Sequence, residues 1–232
     1  MTFDLNLLKQ RVHVRPDTFE GATGWTWISD NTDMTWNVIC NDWVQHHKGQ
    51  ILKWFPERGD TAIMAGGNCG LYPALLSQFF SMIYTFEPDP VHFHCLVNNC
   101  QFPNIVKIQA ALGATSDMVA ISQQFQGNTG MTQVAKVDRN CVPCMTIDSL
   151  NLKSLDLMFL DTEGFEYDIL RGAEGTLVEH SPKLILELGD VDQGEFKNHD
   201  DCVAFLKKIG YDKFIRISRL DYAVEKTREN DE

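Results

Sequence analysis

The chain has 232 residues, 44% of them hydrophobic and 22% charged, with 16 Gly and 8 Pro, a balance that excludes disorder, collagen and coiled coil and suits one globular domain with a small appendage. Folding at this length buries roughly 70% of the surface of the extended chain, enough for a core without disulfide or metal staples. With 32 acidic against 20 basic residues the formal charge is -12, which repels phosphate backbones and argues against a nucleic-acid partner.

Met1 to Arg15 lacks the charged tip, apolar run and small-residue cleavage site of a signal peptide. No 18-residue apolar stretch suits a membrane span, and the odd count of seven Cys reads as reduced thiols of a cytoplasmic protein. All five Trp (Trp25, Trp27, Trp36, Trp43 and Trp54) precede residue 60. They either offer a platform for a flat or sugar-like substrate or, more simply, pack an appendage against the main fold. Asp33 to Phe55 within this segment is predicted helical, capped by Asn31 or Thr32.

From residue 60 onward, short β-branched or aromatic runs alternate with helical stretches, the signal of βαβ units and a parallel sheet. Thr61 to Met64 reads as a strand, Leu71 to Phe80 as a helix, Ile83 to Glu87 as a strand, Val91 to Cys100 as a helix and Ile105 to Gln109 as a strand. His92, His94 and Cys95 lack a second ligand pair for zinc and read as surface helix residues. Residues 113 to 147 are more polar, with extended pieces near 119–121, 133–137 and 144–147, an antiparallel excursion or a loop region. Cys141-Val-Pro-Cys144 runs into an extended piece, whereas a redox pair of this spacing opens a helix. Leu155 to Leu160 is a strand, Glu166 to Glu179 one helix, Lys183 to Leu188 a strand and Asp200 to Ile209 a helix closed by Gly210. Lys213 to Ser218 and Tyr222 to Lys226 form a closing hairpin around Leu220-Asp221.

An open α/β sheet binds its ligand beyond the carboxyl ends of its strands, where strand order reverses. Gly66, Gly67 and Gly70 follow the first of these strands and permit a sharp turn, after which the helix start offers N–H groups to an anionic group. Glu87 ends the next strand 17 residues after Gly70, placed to accept both hydroxyl protons of a ribose. The pair points to an adenosine-type ligand. Cys69-Gly70-Leu71 has no Lys, which disfavours a Walker A loop, and Asn68 and Leu71 break the dinucleotide fingerprint, leaving a nicotinamide oxidoreductase as the alternative.

The ordered blocks Gly59 to Tyr72, Phe86-Glu-Pro-Asp-Pro90, Ala110 to Gly113, Asn128-Thr-Gly130, Leu160-Asp-Thr-Glu-Gly164 with Glu166, Leu170 to Ala173 and Pro182 to Glu187 resemble the FkbM-type S-adenosylmethionine-dependent methyltransferases over about residues 59 to 190. The resemblance implies a class I methyltransferase fold: a Rossmann-like, doubly wound, mostly parallel seven-stranded sheet with a C-terminal antiparallel hairpin. Residues 59–232 are then the S-adenosylmethionine-binding domain, and 1–58 an N-terminal, partly helical, Trp-rich cap on the substrate side. Met64 stands where the family usually has an acidic residue, and Gly67 where Ala is common.

The resemblance implies S-adenosylmethionine as cofactor and O-methylation of a sugar or small natural-product acceptor; a binding-only relative is a further alternative. Gly66, Gly67, Asn68 and Gly70 are expected at the methionine part, Glu87 at the ribose, and Leu112 and Gly113 at the adenine. Asp117 is expected at the adenine amino group or as an ordinary loop acid, and Asn128 near the acceptor. Asp161 is the best candidate base, with Glu163 and Glu166 beside it; together the three suit a hard cation such as Mg²⁺ or simply cap the following helix.

Overall fold

The computed structural model describes residues 12–14, 25–28, 51–123, 132–135, 141–188 and 199–227. Strands β1 (Val12–Val14) and β2 (Thr26–Ile28) pair antiparallel. The main body alternates β3 (Gly59–Ala65), α1 (Leu71–Leu76), β4 (Phe80–Phe86), α2 (Pro90–Asn99) and β5 (Ile105–Ile108). After an excursion come β10 (Leu157–Leu160), α3 (Glu166–Arg171), α4 (Glu174–His180), β11 (Lys183–Glu187), α5 (His199–Lys208), β12 (Tyr211–Arg216) and β13 (Asp221–Lys226).

The central sheet has the order β12-β13-β11-β10-β3-β4-β5. Five strands are parallel, and β13 joins them antiparallel, completing the hairpin expected from the sequence. The strands β10, β3 and β4 are apolar on both faces, as Leu157 to Leu160 and Ala62 to Ala65 show, because helices cover the sheet on either side. One apolar layer gathers Ile63, Ala65, Leu160, Leu170 and Leu186, the other Ala62, Met64, Ile83, Leu157 and Ile185. Met64, at the family's acidic position, is fully buried in the second layer.

The excursion is a second sheet of order β6-β9-β7-β8, built from β6 (Ala111–Leu112), β7 (Asp117–Gln123), β8 (Thr132–Ala135) and β9 (Cys141–Met145). Cys141 is exposed and Cys144 buried, on opposite faces of β9, so the two thiols are not set up as a redox pair.

Three elements differ from expectation. The helix predicted over 166–179 is two helices, because the Asp148 carboxylate, distant in sequence, accepts the Gly175 and Thr176 N–H groups and caps a fresh start. Helix α1 ends at Leu76 rather than residue 80, since Phe80 already pairs opposite Gly59 in the sheet. His92 and Cys95 are not surface residues: both are buried on the inner side of α2. Of the helix predicted over 33–55, residues 33–50 lie outside the described residues.

Trp27 and Trp25 pack with Cys69, Val91 and Cys95 beside the glycine loop. Asn99 ties this contact down: its Oδ1 accepts the Thr26 N–H at 2.8 Å, and its Nδ2 donates to Thr26 O and Cys69 O at 2.9 and 2.7 Å. Asn99→Ala is expected to cost about 1–3 kcal/mol, seen as a lower thermal midpoint with a red-shifted tryptophan emission. An unchanged midpoint would show that the strand docks without this side chain.

Candidate functional site

Ala65, Phe86 and Leu160 stand level in register at the carboxyl ends of β3, β4 and β10. The loops that follow therefore open side by side at the point where strand order reverses. Between them lies an open cleft, in the place where a sheet of this topology takes its ligand. Glu87, Asp161 and Glu163 supply its carboxylates, Trp27, Phe86 and Phe165 its aromatic walls.

The glycine loop braces itself. Gly66 and Gly67 N–H both donate to Phe86 O, Asn68 N–H to Glu87 Oε2 at 2.7 Å, Cys69 N–H to the Asn68 side chain at 2.6 Å, and Gly70 N–H to Gly67 O. These five loop donors are thus bonded within the protein rather than aimed at a ligand. Gly66 (φ 84°) is required by close approach within the protein: a Cβ there would lie 1.8 Å from the Asp161 carbonyl oxygen. Asn68 takes a left-handed conformation (φ 45°), which Asn tolerates better than most residues.

Glu87 is buried, 5% exposed. Its Oε2 accepts Asn68 N–H, its Oε1 accepts Asp89 N–H at 2.9 Å, and each oxygen has further accepting capacity. Burial pushes its pKa up, while His92 and the two N–H donors pull it back. Asp89 in turn caps α2, accepting Val91 and His92 N–H. The His92 Nδ1 sits 3.8 Å from Glu87 Oε1 and 3.7 Å from Asp89 Oδ1, and its Nε2 is buried without a hydrogen-bond partner at the cleft wall. The acid at position 87 thus holds the glycine loop, through Asn68, and the start of α2, through Asp89.

Asp161 follows β10, and Glu163 (φ 56°) and Gly164 (φ 98°) turn the chain toward α3. Glu166 turns away from the cleft: its Oε1 accepts both the N–H and the hydroxyl of Thr162, at 2.9 and 2.8 Å. In its place Glu187, at the end of β11, brings a carboxylate oxygen within 4.8 Å of those of Asp161 and Glu163. Burial, then Asp161, raises Glu163 to about 8, and the same two causes push Glu187 strongly up. The Tyr72 hydroxyl is pushed well up by burial and by Asp161, Asp221 and Glu187. Glu187 was not singled out from the sequence, though a lone carboxylate interrupting Leu184 to Leu188 was the available signal.

Of the other expected site residues, Leu112 lines the cleft with Gly66, Gly67 and Asn68. Gly70 lies behind the loop, facing Cys100 and Leu96. Gly113 is packed against Cys144, and Asp117 is exposed on β7, its Oδ1 accepting Met118 N–H. Neither Gly113 nor Asp117 lines the cleft. Asn128 lies outside the described residues. Arg171 stays on its helix, 3.8 Å from Asp168.

Burial raises Glu166 to about 7, so the folded chain keeps a proton that the unfolded chain loses above its ordinary value. Stability from this group is therefore present at low pH and is lost as pH rises from about 4.5 to about 7. Glu166→Gln retains the accepting Oε1 without the charge. Its unfolding free energy is expected to rise relative to wild type by about 3 kcal/mol between acid pH and pH 8, measured by urea titration in the presence of EDTA. A difference independent of pH would contradict this reading.

The fold and the position of the cleft define a class I methyltransferase architecture, an α/β fold with a mostly parallel sheet. The family model described as the methyltransferase FkbM domain matches residues 78–213, more than half of the chain, and the chain belongs to that family. It is 26% identical over 163 residues to "Methyltransferase 1" of Beauveria bassiana (strain ARSEF 2860), covering 57% of this chain and 65% of that protein. Among solved structures it is similar to methyltransferase FkbM from Methylobacillus flagellatus KT, with a TM-score of 0.51 and 18% identity over 72% of this chain and 43% of the other. The chain thus spans less than two thirds of both relatives. Among the described residues no helix is long and apolar enough to cross a membrane.

Proposed function

We propose that the chain is an S-adenosylmethionine-dependent methyltransferase that methylates a hydroxyl oxygen of a sugar or small natural-product acceptor. The observation that carries this reading is the acidic lining of the cleft: Glu87, Asp161 and Glu163 face it, and among the described residues no Lys or Arg lines it. With the loop's N–H groups bonded internally, a dinucleotide's pyrophosphate would meet carboxylates rather than donors, which disfavours the nicotinamide alternative. A nucleoside carrying positive charge suits the same surroundings. The residues present fit such a cofactor: Glu87 has accepting capacity left for ribose hydroxyls, and the orphaned His92 Nε2 offers one more polar contact.

Glu87 and His92 would hold the ribose, Phe86 and Leu112 would flank the base, and Gly66, Gly67 and Asn68 would border the amino-acid end. The bound cofactor supplies a sulfonium methyl group already activated for in-line displacement. What the chain contributes is alignment, worth up to roughly 7–11 kcal/mol in well-oriented systems, and removal of the hydroxyl proton. Asp161, at the strand end facing the cleft, is assigned to take that proton, a role worth on the order of 10²–10⁴ in rate. Residues 1–58 are assigned to a cap on the acceptor side, supported by Trp27 in the cleft wall.

The test is S-adenosylhomocysteine release with a panel of sugars and small alcohols. Transfer to an oxygen is expected, with Asp161→Asn lowering kcat by roughly 10²-fold or more while leaving the cofactor's Kd near wild type. Methylation of amines alone, or full activity in Asp161→Asn, would overturn the assignment.

A further inference from the structure

We propose that Trp27 is a cofactor-binding residue and that Asn99 is the positioning residue that holds it, so that strand β2 completes the methyl-donor site. Trp27 is only 2% exposed, yet it lines the cleft. It packs with Cys69 and Leu71, which end the glycine loop, and with Val91 and Cys95 on α2. These neighbours put it at the cofactor end, in the same cleft wall as Glu87 and His92. Of the cap, β2 is thus the part that turns toward the cofactor. A large aromatic surface there excludes water from the ribose and so strengthens the hydrogen bonds that Glu87 accepts.

A second observation points the same way. Asn99 commits its whole amide to this arrangement: Oδ1 accepts the Thr26 N–H, and Nδ2 donates to Thr26 O and to Cys69 O. The bonds to Thr26 serve the residue before Trp27 as a neighbouring strand would, and the bond to Cys69 fastens that residue to the glycine loop. Asn68, next to Cys69 in the chain, donates its N–H to Glu87 Oε2. A bonded path therefore runs from β2 through Asn99 and the loop to the carboxylate assigned to the ribose. Packing an appendage against the sheet would require neither this polar tie to the loop nor an aromatic side chain at the cleft wall.

This inference rests on the methyl-transfer reading, and S-adenosylhomocysteine is the probe. A ligand that binds better when β2 is docked must hold β2 docked in return. In the full chain, saturating S-adenosylhomocysteine is therefore expected to slow hydrogen exchange of the Thr26 amide, which is bonded to Asn99 Oδ1. The slowing should exceed by about tenfold or more that of amides in β12, at the far edge of the sheet. Calorimetry, at a temperature where circular dichroism shows each variant folded, should give binding weaker by about tenfold or more in Trp27→Ala, several-fold weaker in Asn99→Ala and near wild type in Trp27→Phe. A role confined to stability would lower the thermal midpoints of Trp27→Ala and Asn99→Ala while leaving the Kd and the ligand-dependent protection of Thr26 unchanged, and that result overturns the inference. If Trp27→Ala does not fold, Asn99→Ala and the wild-type exchange measurement decide. Binding by the wild type without added protection at Thr26 refutes this inference alone, whereas no binding by the wild type refutes the methyltransferase reading with it.

Discussion

Glu87→Ala is expected to weaken S-adenosylmethionine binding by on the order of 100-fold or more, because one side chain carries both the ligand contact and the loop that shapes the site. The carboxylate is buried and accepts the N–H groups of Asn68 and Asp89. Alanine leaves both donors unpaired, at roughly 1–3 kcal/mol for the buried Asp89 N–H, so the thermal midpoint should fall as well. The two effects separate in Glu87→Gln, which keeps one accepting oxygen and adds a donor where an acceptor is needed. That variant should recover part of the stability but little of the affinity. Calorimetry and thermal unfolding measure both quantities, and an unchanged Kd in Glu87→Ala would place the ribose elsewhere.

Gly66→Ala should produce the largest loss of stability. Its φ of 84° already costs an L-residue roughly 1–2 kcal/mol. The added methyl would lie 1.8 Å from the Asp161 carbonyl oxygen and 2.9 Å from its carbonyl carbon. Those are backbone atoms of the neighbouring strand end, so no side-chain rotation relieves the clash, and overpacking adds roughly 1–3 kcal/mol. A loss of at least about 3 kcal/mol is expected by denaturant titration, together with loss of methyl transfer, since moving that peptide moves Asp161. A wild-type denaturation midpoint would mean that the two loops do not approach as closely as described here.

The sequence discloses much of this site because the motif residues sit where an apolar run ends and a turn begins. Gly66, Glu87 and Asp161 each directly follow or nearly follow a run that folds as a strand, and parallel register then places them side by side. What stays hidden depends on partners remote in sequence. The break between α3 and α4 is set by Asp148, more than twenty residues upstream. The internal bonding of the glycine loop depends on Phe86 O and Glu87, which reach it only through the β3–β4 pairing. Glu187 stands where Glu166 is expected for a similar reason. Thr162 captures Glu166 across one turn, while β11 pairs beside β10 and delivers Glu187 to the cluster. Asp117 and Gly113 look like cleft residues because they follow β5 closely in sequence, yet the second sheet carries them elsewhere.

Isothermal titration with S-adenosylmethionine and, separately, with NAD tests the central claim most directly. An acidic cleft braced from within should bind the sulfonium nucleoside in the micromolar range and give no heat with the dinucleotide. Heat with NAD and none with S-adenosylmethionine would contradict the account at its root.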